Sequence, residues 1–150
     1  MANTFTSLQY HLVFSTKNRE PWLRLDAQQR VWAYLGGIAR QNGLKPLQVG
    51  GVEDHIHMLV AMPPTVDVSA AVKQVKGGSS GWIKQNISGC RSFSWQDGYG
   101  AFTLSKSHEP DVRNYIKTQR EHHSKRSFQQ EFRALLDRHG IKYDERYLCD

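Results

Sequence analysis

Residues 47–64 read LQVGGVEDHIHMLVAMPP, and this stretch decides the fold because it holds two strands in direct succession. Residues 47–52 and 55–61 are short apolar runs of the kind that forms strands. The polar pair Glu53-Asp54 leaves room only for a tight turn between them, and Pro63-Pro64 ends the second run. Two strands joined this closely are expected to pair antiparallel.

Two more strands are predicted on either side of this pair. From Ser7, polar residues alternate with an apolar set that defines one buried face: Leu8, Tyr10, Leu12 and Phe14. Val13 interrupts the alternation on the outer side. Residues 99–104 form the fourth predicted strand.

Apolar residues at helical spacing predict four helices. The first follows Asp26 as its N-cap, and the second opens near Asp67. The second contains glycines that either break the helix or permit a close backbone approach: Gly77, Gly78 and Gly81. The third begins near Pro110 and runs to about residue 123, and the fourth covers about residues 128–140.

The resulting order, βαββαβ followed by two helices, predicts an α+β fold of the ferredoxin-like class. In that class a four-stranded antiparallel sheet carries helices on one face, and here C-terminal helices are added. The chain has 150 residues without repeats or linkers, so we expect a single domain over residues 1–150. Its core would span about residues 5–125, and a C-terminal helical extension about residues 126–150.

The charge balance favours a polyanionic partner. Lys and Arg exceed Asp and Glu by 20 − 14 = 6, and the pI is about 9.5. No apolar run approaches the roughly 20 residues of a membrane span, and residues 1–18 lack the apolar core of a signal peptide. We therefore expect a cytoplasmic location and no membrane partner.

His55 and His57 are two residues apart on the predicted third strand, so both imidazoles project from one face, about 7 Å apart. Two imidazoles on a rigid strand can share a divalent ion, but further ligands are needed. Glu53 and Asp54 are candidates for a ligand or for a residue that orients one. A histidine-triad nucleotide hydrolase is disfavoured, because Leu59 stands where a third histidine is required.

Tyr115 and Gln119 are one turn apart on the predicted third helix and share a face. A phenol with a pKa near 10 becomes a nucleophile only beside a cation or a proton acceptor. The amide oxygen of Gln119 would be able to reach a metal on the histidines. His122 and His123 are further candidate ligands, although a histidine doublet at a basic helix end is more typical of a solvated face.

Five segments in this order resemble those of the HUH-type, single-tyrosine transposases of insertion-sequence-200-like elements and of the REP-associated tyrosine transposases. They are YHLVFSTKNR (10–19), DHIHMLV (54–60, followed by Pro63-Pro64), KQVKGGSS (73–80), WQDGYG (95–100) and VRNYIKTQ (112–119). The resemblance covers about residues 5–125 and rests on shared order and spacing.

The resemblance implies a role for each matching residue. His55 and His57 would be the catalytic histidine pair and metal ligands, Gln119 the polar ligand, and Tyr115 the nucleophile. A divalent ion, Mg²⁺ or Mn²⁺, would polarise the scissile phosphate of single-stranded DNA. Attack by the tyrosine would leave a 5′-phosphotyrosine link and a free 3′-hydroxyl, followed by strand transfer.

The resemblance also implies partners. Relatives recognise a DNA hairpin near the cleavage site and act as homodimers, often with the tyrosine helix of one subunit completing the histidine site of the other. The basic surplus offers candidate DNA contacts at Lys73, Lys76, Lys117 and Arg120.

Two other functions remain open from the residues. Residues 98–104 faintly resemble the aromatic strand of RNA-recognition modules, which would make the chain a non-catalytic nucleic-acid-binding module with a ferredoxin-like sheet. The histidine pair would also suit a metal-dependent phosphoesterase that activates water and leaves Tyr115 unused.

Overall fold

The computed structural model describes residues 3–148, so the ends of the predicted 1–150 domain lie outside the described range. The strands are β1 (Gln9–Ser15), β2 (Lys45–Gly51), β3 (His55–Ala61) and β4 (Gly100–Leu104). The α-helices are α1 (Gln28–Gln41), α2 (Val68–Asn86), α3 (Glu109–Lys117), α4 (Gln119–His123) and α5 (Phe128–Arg138). Within residues 3–148, none of the helices is both long and apolar enough to cross a bilayer.

The four strands form one antiparallel sheet in the order β2-β3-β1-β4, which confirms the predicted ferredoxin-like α+β fold. Strands β3 and β1 are central, and their register places His57 opposite Val13 and His55 opposite Ser15. Pro46 is accommodated because β2 lies at an edge of the sheet and its pairing with β3 is irregular between Pro46 and Gln48.

The first face of the sheet packs against α1 and α2. Side chains that alternate with the histidines on β3 enter this core, as the alternation predicts: Ile56, Met58 and Val60. Helix α2 runs through its glycines without a break, capped by Asp67, whose carboxylate accepts from the Ala70 amide. At Gly78 an added Cβ would lie 3.0 Å from Ile38 of α1, so the two helices approach closely there.

The second face is covered by α3, α4 and α5, so the sheet carries helices on both sides. Val13, predicted on an outer side, is fully buried with Phe102 beneath α5 in a second apolar cluster. The helix contributes its own apolar stripe: Phe128, Phe132, Leu135 and Leu136. The C-terminal extension therefore packs directly on the sheet.

Two local predictions were wrong. Asp26 does not cap α1, because it lies in a 3-10 turn over Leu25–Ala27 and the α-helix begins at Gln28. The predicted continuous third helix breaks at Thr118 (φ −103°, ψ 26°) into α3 and α4. The hydroxyl of Thr118 donates to the Asn114 carbonyl oxygen, a side-chain bond that competes with helix continuation.

Gly50 sets the distance between β2 and α3. A Cβ on Gly50 would lie 2.6 Å from the backbone oxygen of Ile116, the residue after Tyr115. We therefore expect Gly50→Ala to push α3 outward and to lower the free energy of unfolding by about 1–3 kcal/mol, the usual cost of overpacking. Urea denaturation monitored by circular dichroism measures this change.

Gly37→Ala is the matched control, because a Cβ there meets nothing within 4 Å and alanine favours the helix by up to about 1 kcal/mol. Equal midpoints for Gly50→Ala and wild type would show that α3 does not pack this closely on β2.

Candidate active site

His55 and His57 project from β3 into the interface between the sheet and the C-terminal helices. Both side chains have no exposed surface, and their ring centroids lie 5.1 Å apart. The strand places them on one face, as predicted. The helices above them, which the histidine spacing alone does not reveal, exclude water from both rings.

Each of the two rings is held through its Nδ1 atom. Asp54 Oδ1 lies 2.8 Å from His55 Nδ1, which gives Asp54 the orienting role that the sequence left open. His11 Nε2 lies 2.7 Å from His57 Nδ1. Because both Nδ1 atoms are hydrogen-bonded, both Nε2 atoms are directed away from the sheet. Partners such as Asp54 and His11, which bond the second ring nitrogen, commonly fix the orientation of metal-binding histidines.

The carboxylate of Glu131, on α5, lies where these Nε2 atoms meet. Its Oε1 atom is 3.0 Å from His57 Nε2, 3.2 Å from His123 Nε2 and 3.5 Å from His55 Nε2. Glu131 itself has no exposed surface. One carboxylate oxygen therefore faces three imidazoles, the arrangement that a buried negative charge requires.

The same four side chains are able to hold a metal ion. Their ligand atoms all lie within 4.8 Å of one another. Neighbouring ligands on an ion with bonds of about 2.1 Å are about 3.0–3.4 Å apart. The distances from Glu131 Oε1 to the three imidazoles are close to this spacing, so the four side chains are near enough to one another to act as ligands of a single ion.

The ionisation states follow from burial and from Glu131. Burial alone would lower the pKa of His55, but hydrogen bonds to Asp54 and Glu131 outweigh it and raise this pKa to about 9. For His57 burial prevails and lowers the pKa to about 4. Burial opposes charge on Glu131 too, yet its hydrogen bonds with His123, His55 and His57 hold its pKa well below the usual range. His57 is therefore neutral, the form that binds metals, whereas His55 is protonated without an ion and would release its proton on binding one.

Tyr115 reaches the same carboxylate from α3. Its hydroxyl donates to Glu131 Oε2, the oxygen that does not face the imidazoles. The ring lies edge-on to His57, with centroids 5.8 Å apart, and is tilted over His122 at 4.6 Å. Burial, reinforced by the negative charge of Glu131, raises the pKa of the phenol, so Tyr115 is protonated at rest.

Gln119 lies under the break between α3 and α4 and is buried. Its Oε1 atom is 3.2 Å from His55 Nε2, and its Nε2 atom donates to the Tyr115 backbone oxygen. The amide oxygen therefore reaches the histidines, as its spacing from Tyr115 suggested. Histidine, glutamine and tyrosine of one chain thus meet at one place.

Sequence reasoning missed Glu131 and misjudged His123. His123 is not a solvated residue, because only 11% of its side chain is exposed and its Nε2 lies 3.1 Å from Gln119 Oε1. Glu131 had a signal in the sequence: it lies three residues after Phe128 and four before Leu135, inside the apolar stripe of α5. A carboxylate in a buried stripe indicates a partnered charge.

The four predicted DNA contacts fall in two places. Lys117 and Arg120 lie near the site, and Arg120 forms an ion pair with Glu53. Lys73 and Lys76 lie on α2, which packs on the other face of the sheet. The Lys76 ammonium donates to the backbone oxygens of Gln96 and Gly98, at 2.8 Å and 2.6 Å.

Curated relatives and solved structures resemble this chain over most of its length. It is 28% identical to the ISDra2 transposase TnpA of Deinococcus radiodurans over 119 residues, which is 75% of this chain and 84% of that protein. It is 29% identical to the transposase for insertion sequence element IS200 of Salmonella typhimurium over 127 residues, 81% of this chain and 82% of that protein.

Two solved structures share the fold. One is a provisionally assigned transposase from Deinococcus radiodurans R1, with a TM-score of 0.64, 25% identity, and coverage of 79% of this chain and 95% of that one. The other is a REP-associated tyrosine transposase bound to a REP hairpin, with a TM-score of 0.60, 13% identity, and coverage of 82% and 73%.

The family model described as "Transposase IS200 like" matches residues 4–119, more than two thirds of the sequence. This segment contains the histidine pair, Tyr115 and Gln119, whereas Glu131 lies beyond it. The chain therefore belongs to the IS200-like family of HUH-type, single-tyrosine transposases.

Proposed function

We propose that this transposase cuts and rejoins single-stranded DNA through a covalent bond to Tyr115, with a divalent metal on the His55–His57 pair. The observation that carries the proposal is the shared carboxylate. Glu131 accepts the Tyr115 hydroxyl on one oxygen and faces both histidines with the other. Nucleophile and metal site are therefore adjacent in a single chain.

The reaction conserves the energy of the phosphodiester bond. The Tyr115 hydroxyl oxygen forms a bond to the scissile phosphorus while the bond from phosphorus to the 3′-oxygen breaks, and the 3′-oxygen departs and takes up a proton to become the free 3′-hydroxyl. Glu131 accepts the hydrogen bond of the Tyr115 hydroxyl and so orients its oxygen, but the lowered pKa of Glu131 prevents it from keeping the proton. The phenol proton is released to water as the new bond forms, and the departing 3′-oxygen takes one up, so the protons balance. A second 3′-hydroxyl reverses these bond changes and rejoins the strands, so no nucleotide cofactor is consumed.

The bound metal would supply charge to stabilise the phosphate oxygens during transfer. His55, His57 and Gln119 would hold it, with Glu131 and His123 as further ligands that the geometry adds. Asp54 and His11 fix the two ring orientations. Because imidazoles outnumber oxygen donors, this set suits Mn²⁺ better than Mg²⁺, which prefers oxygen ligands.

The binding partners of this chain are also proposals. The surplus of basic residues and the hairpin in the REP-associated structure support the proposal that the substrate is single-stranded DNA with a hairpin near the cleavage site. Lys117 and Arg120, beside the site, are the stronger candidates for its backbone, and Lys73 and Lys76 stay predictions. A homodimer and a cytoplasmic location also stay predictions. Since Tyr115 meets the histidines of its own chain, we propose action in cis.

The geometry disfavours a base-stacking module of the RNA-recognition type. Phe102 is the aromatic residue of β4, and only 3% of its surface is exposed because α5 covers it. A ring in this position is not accessible to a base. We also propose that residues 1–150 act as one functional unit, since α5 of the extension carries Glu131.

Replacement of Tyr115 by phenylalanine tests the nucleophile. Wild-type protein with Mn²⁺ and single-stranded DNA from the flanks of its gene should give a covalent adduct that survives denaturing electrophoresis. Tyr115→Phe should give none, because the attacking oxygen is removed while the imidazole partners of Glu131 remain. Affinity for the same DNA should change little.

Tyr34→Phe is the matched control, since Tyr34 stacks on Trp82 on the opposite face of the sheet. It should form adduct at the wild-type rate. Undiminished adduct in Tyr115→Phe would refute the assignment, and cleavage by wild type without any adduct would favour the phosphoesterase that activates water.

Calorimetric titration with Mn²⁺ tests the metal site. Loss of an outer partner such as His11 typically weakens binding about 10- to 100-fold, so His11→Phe should fall in this range and His57→Ala should exceed it. Glu131→Gln, which removes the charge and keeps the shape, should also weaken binding.

His139→Ala should bind Mn²⁺ like wild type, because the His139 ring packs on Phe102 and is not one of the four clustered candidate ligands. Wild-type affinity in Glu131→Gln would limit the ligands to the histidines and Gln119, and wild-type affinity in His57→Ala would exclude the proposed site.

A further inference from the structure

A cavity of about 340 Å³ lies between α3 and α5, with Tyr115 and His11 of the central strand β1 in its wall. The residues that matter for its chemistry are His11, Val112, Tyr115, Arg126, Leu135 and Arg138, and we call this set the α3–α5 groove. A second cavity, beside Lys117 and Arg120, is lined by Ile116 instead of Tyr115. Of these two, only the α3–α5 groove has the nucleophile in its wall.

The charges of the groove suit a phosphate. Arg126 and Arg138 line it with exposed guanidinium groups, against a single carboxylate from Asp111. Arg126 lines the same cavity as Tyr115. Within residues 3–148, Arg138 forms no ion pair, so its guanidinium is available to a ligand. Guanidinium groups bind phosphate oxygens in a two-pronged geometry.

The rest of the lining suits a base. Val112, Ala134 and Leu135 contribute apolar surface, and Ala134 and Leu135 lie one turn before Arg138 on α5. Pockets for small ligands begin at about 300 Å³, which is close to the size of this cavity and sufficient for a nucleotide. An adjoining cavity of about 600 Å³ shares Val112, Leu135 and Arg138 and continues along the edge strand β4 past Phe102. The path is therefore long enough for more than one nucleotide.

We propose that the α3–α5 groove binds the nucleotide of single-stranded DNA that adjoins the phosphate attacked by Tyr115. Its base packs on Val112 and Leu135, its phosphate lies at Arg126 and Arg138, and the strand continues along β4. This inference rests on the proposed function, because it takes the substrate to be single-stranded DNA. It makes α5, which lies outside the segment shared with the family model, part of the DNA-binding surface.

Fluorescence anisotropy with a short, fluorescein-labelled oligothymidylate tests the groove. All variants carry Tyr115→Phe, so that no covalent product forms. Arg138→Ala should weaken binding by about 10-fold. It should also reduce the slope of log affinity against log salt by about 0.7, the value for one phosphate contact on a single strand.

Arg40→Ala is the matched control, because it removes one arginine from α1 on the other face of the sheet. Its affinity and salt slope should equal those of the parent. An Arg138→Ala protein that matches this control in both quantities would overturn the proposal.

A second variant fills the cavity without changing charge. Ala134→Phe places a ring where the base is proposed, so DNA affinity should fall about 10-fold while Mn²⁺ affinity and melting temperature stay unchanged. If affinity for the oligothymidylate is also unchanged, the base site is wrong.

Adduct formation separates this inference from the proposed function. In these experiments the chain keeps Tyr115, with or without Arg138→Ala or Ala134→Phe. If the substituted proteins form adduct at the same rate as the unsubstituted one, the groove does not bind the DNA, but Tyr115 remains the nucleophile. If both variants bind DNA more weakly but no substrate gives an adduct, the groove is the DNA-binding site and Tyr115 is not the nucleophile.

Discussion

A carboxylate with no access to water needs a partner for each of its oxygens, and Glu131 obtains them from three parts of the chain. His55 and His57 come from β3, His123 from α4, and the Tyr115 hydroxyl from α3. An unpaired charge in such a place would cost several kcal/mol, so the carboxylate and its partners have to form together. This one group therefore holds the C-terminal helix, the histidine strand and the tyrosine helix in register.

The two faces of the sheet have different roles. The face toward α1 and α2 is filled by apolar side chains from the central strands, which makes β3 a rigid support. The other face carries ionisable groups between the sheet and α3, α4 and α5. Because strand residues alternate between faces, Ile56 anchors the core while its neighbours His55 and His57 enter the site. Close packing on one side gives the histidines a fixed position on the other.

The sequence predicted those features that depend on local pattern. The bounds of β3 matched because the apolar run is closed by Pro63, and Asp67 was found because capping chemistry is local. The break at Thr118 was missed because the residues around it have a strong helical pattern, and the break depends on the hydrogen bond of a single hydroxyl. Glu131 was missed because its partners lie 74 and 16 residues away, and no local rule joins α5 to β3. Its place in an apolar stripe was the one available sign.

The central claim is that Tyr115 and the histidine pair of the same chain make one active site. Mixing Tyr115→Phe protein with His57→Ala protein tests it directly, with Mn²⁺, flanking single-stranded DNA and wild-type protein in parallel. If phenol and imidazoles act within one chain, the mixture gives no covalent DNA adduct while wild type does. Adduct restored in the mixture would mean that the tyrosine of one chain serves the histidines of another, and would contradict the account.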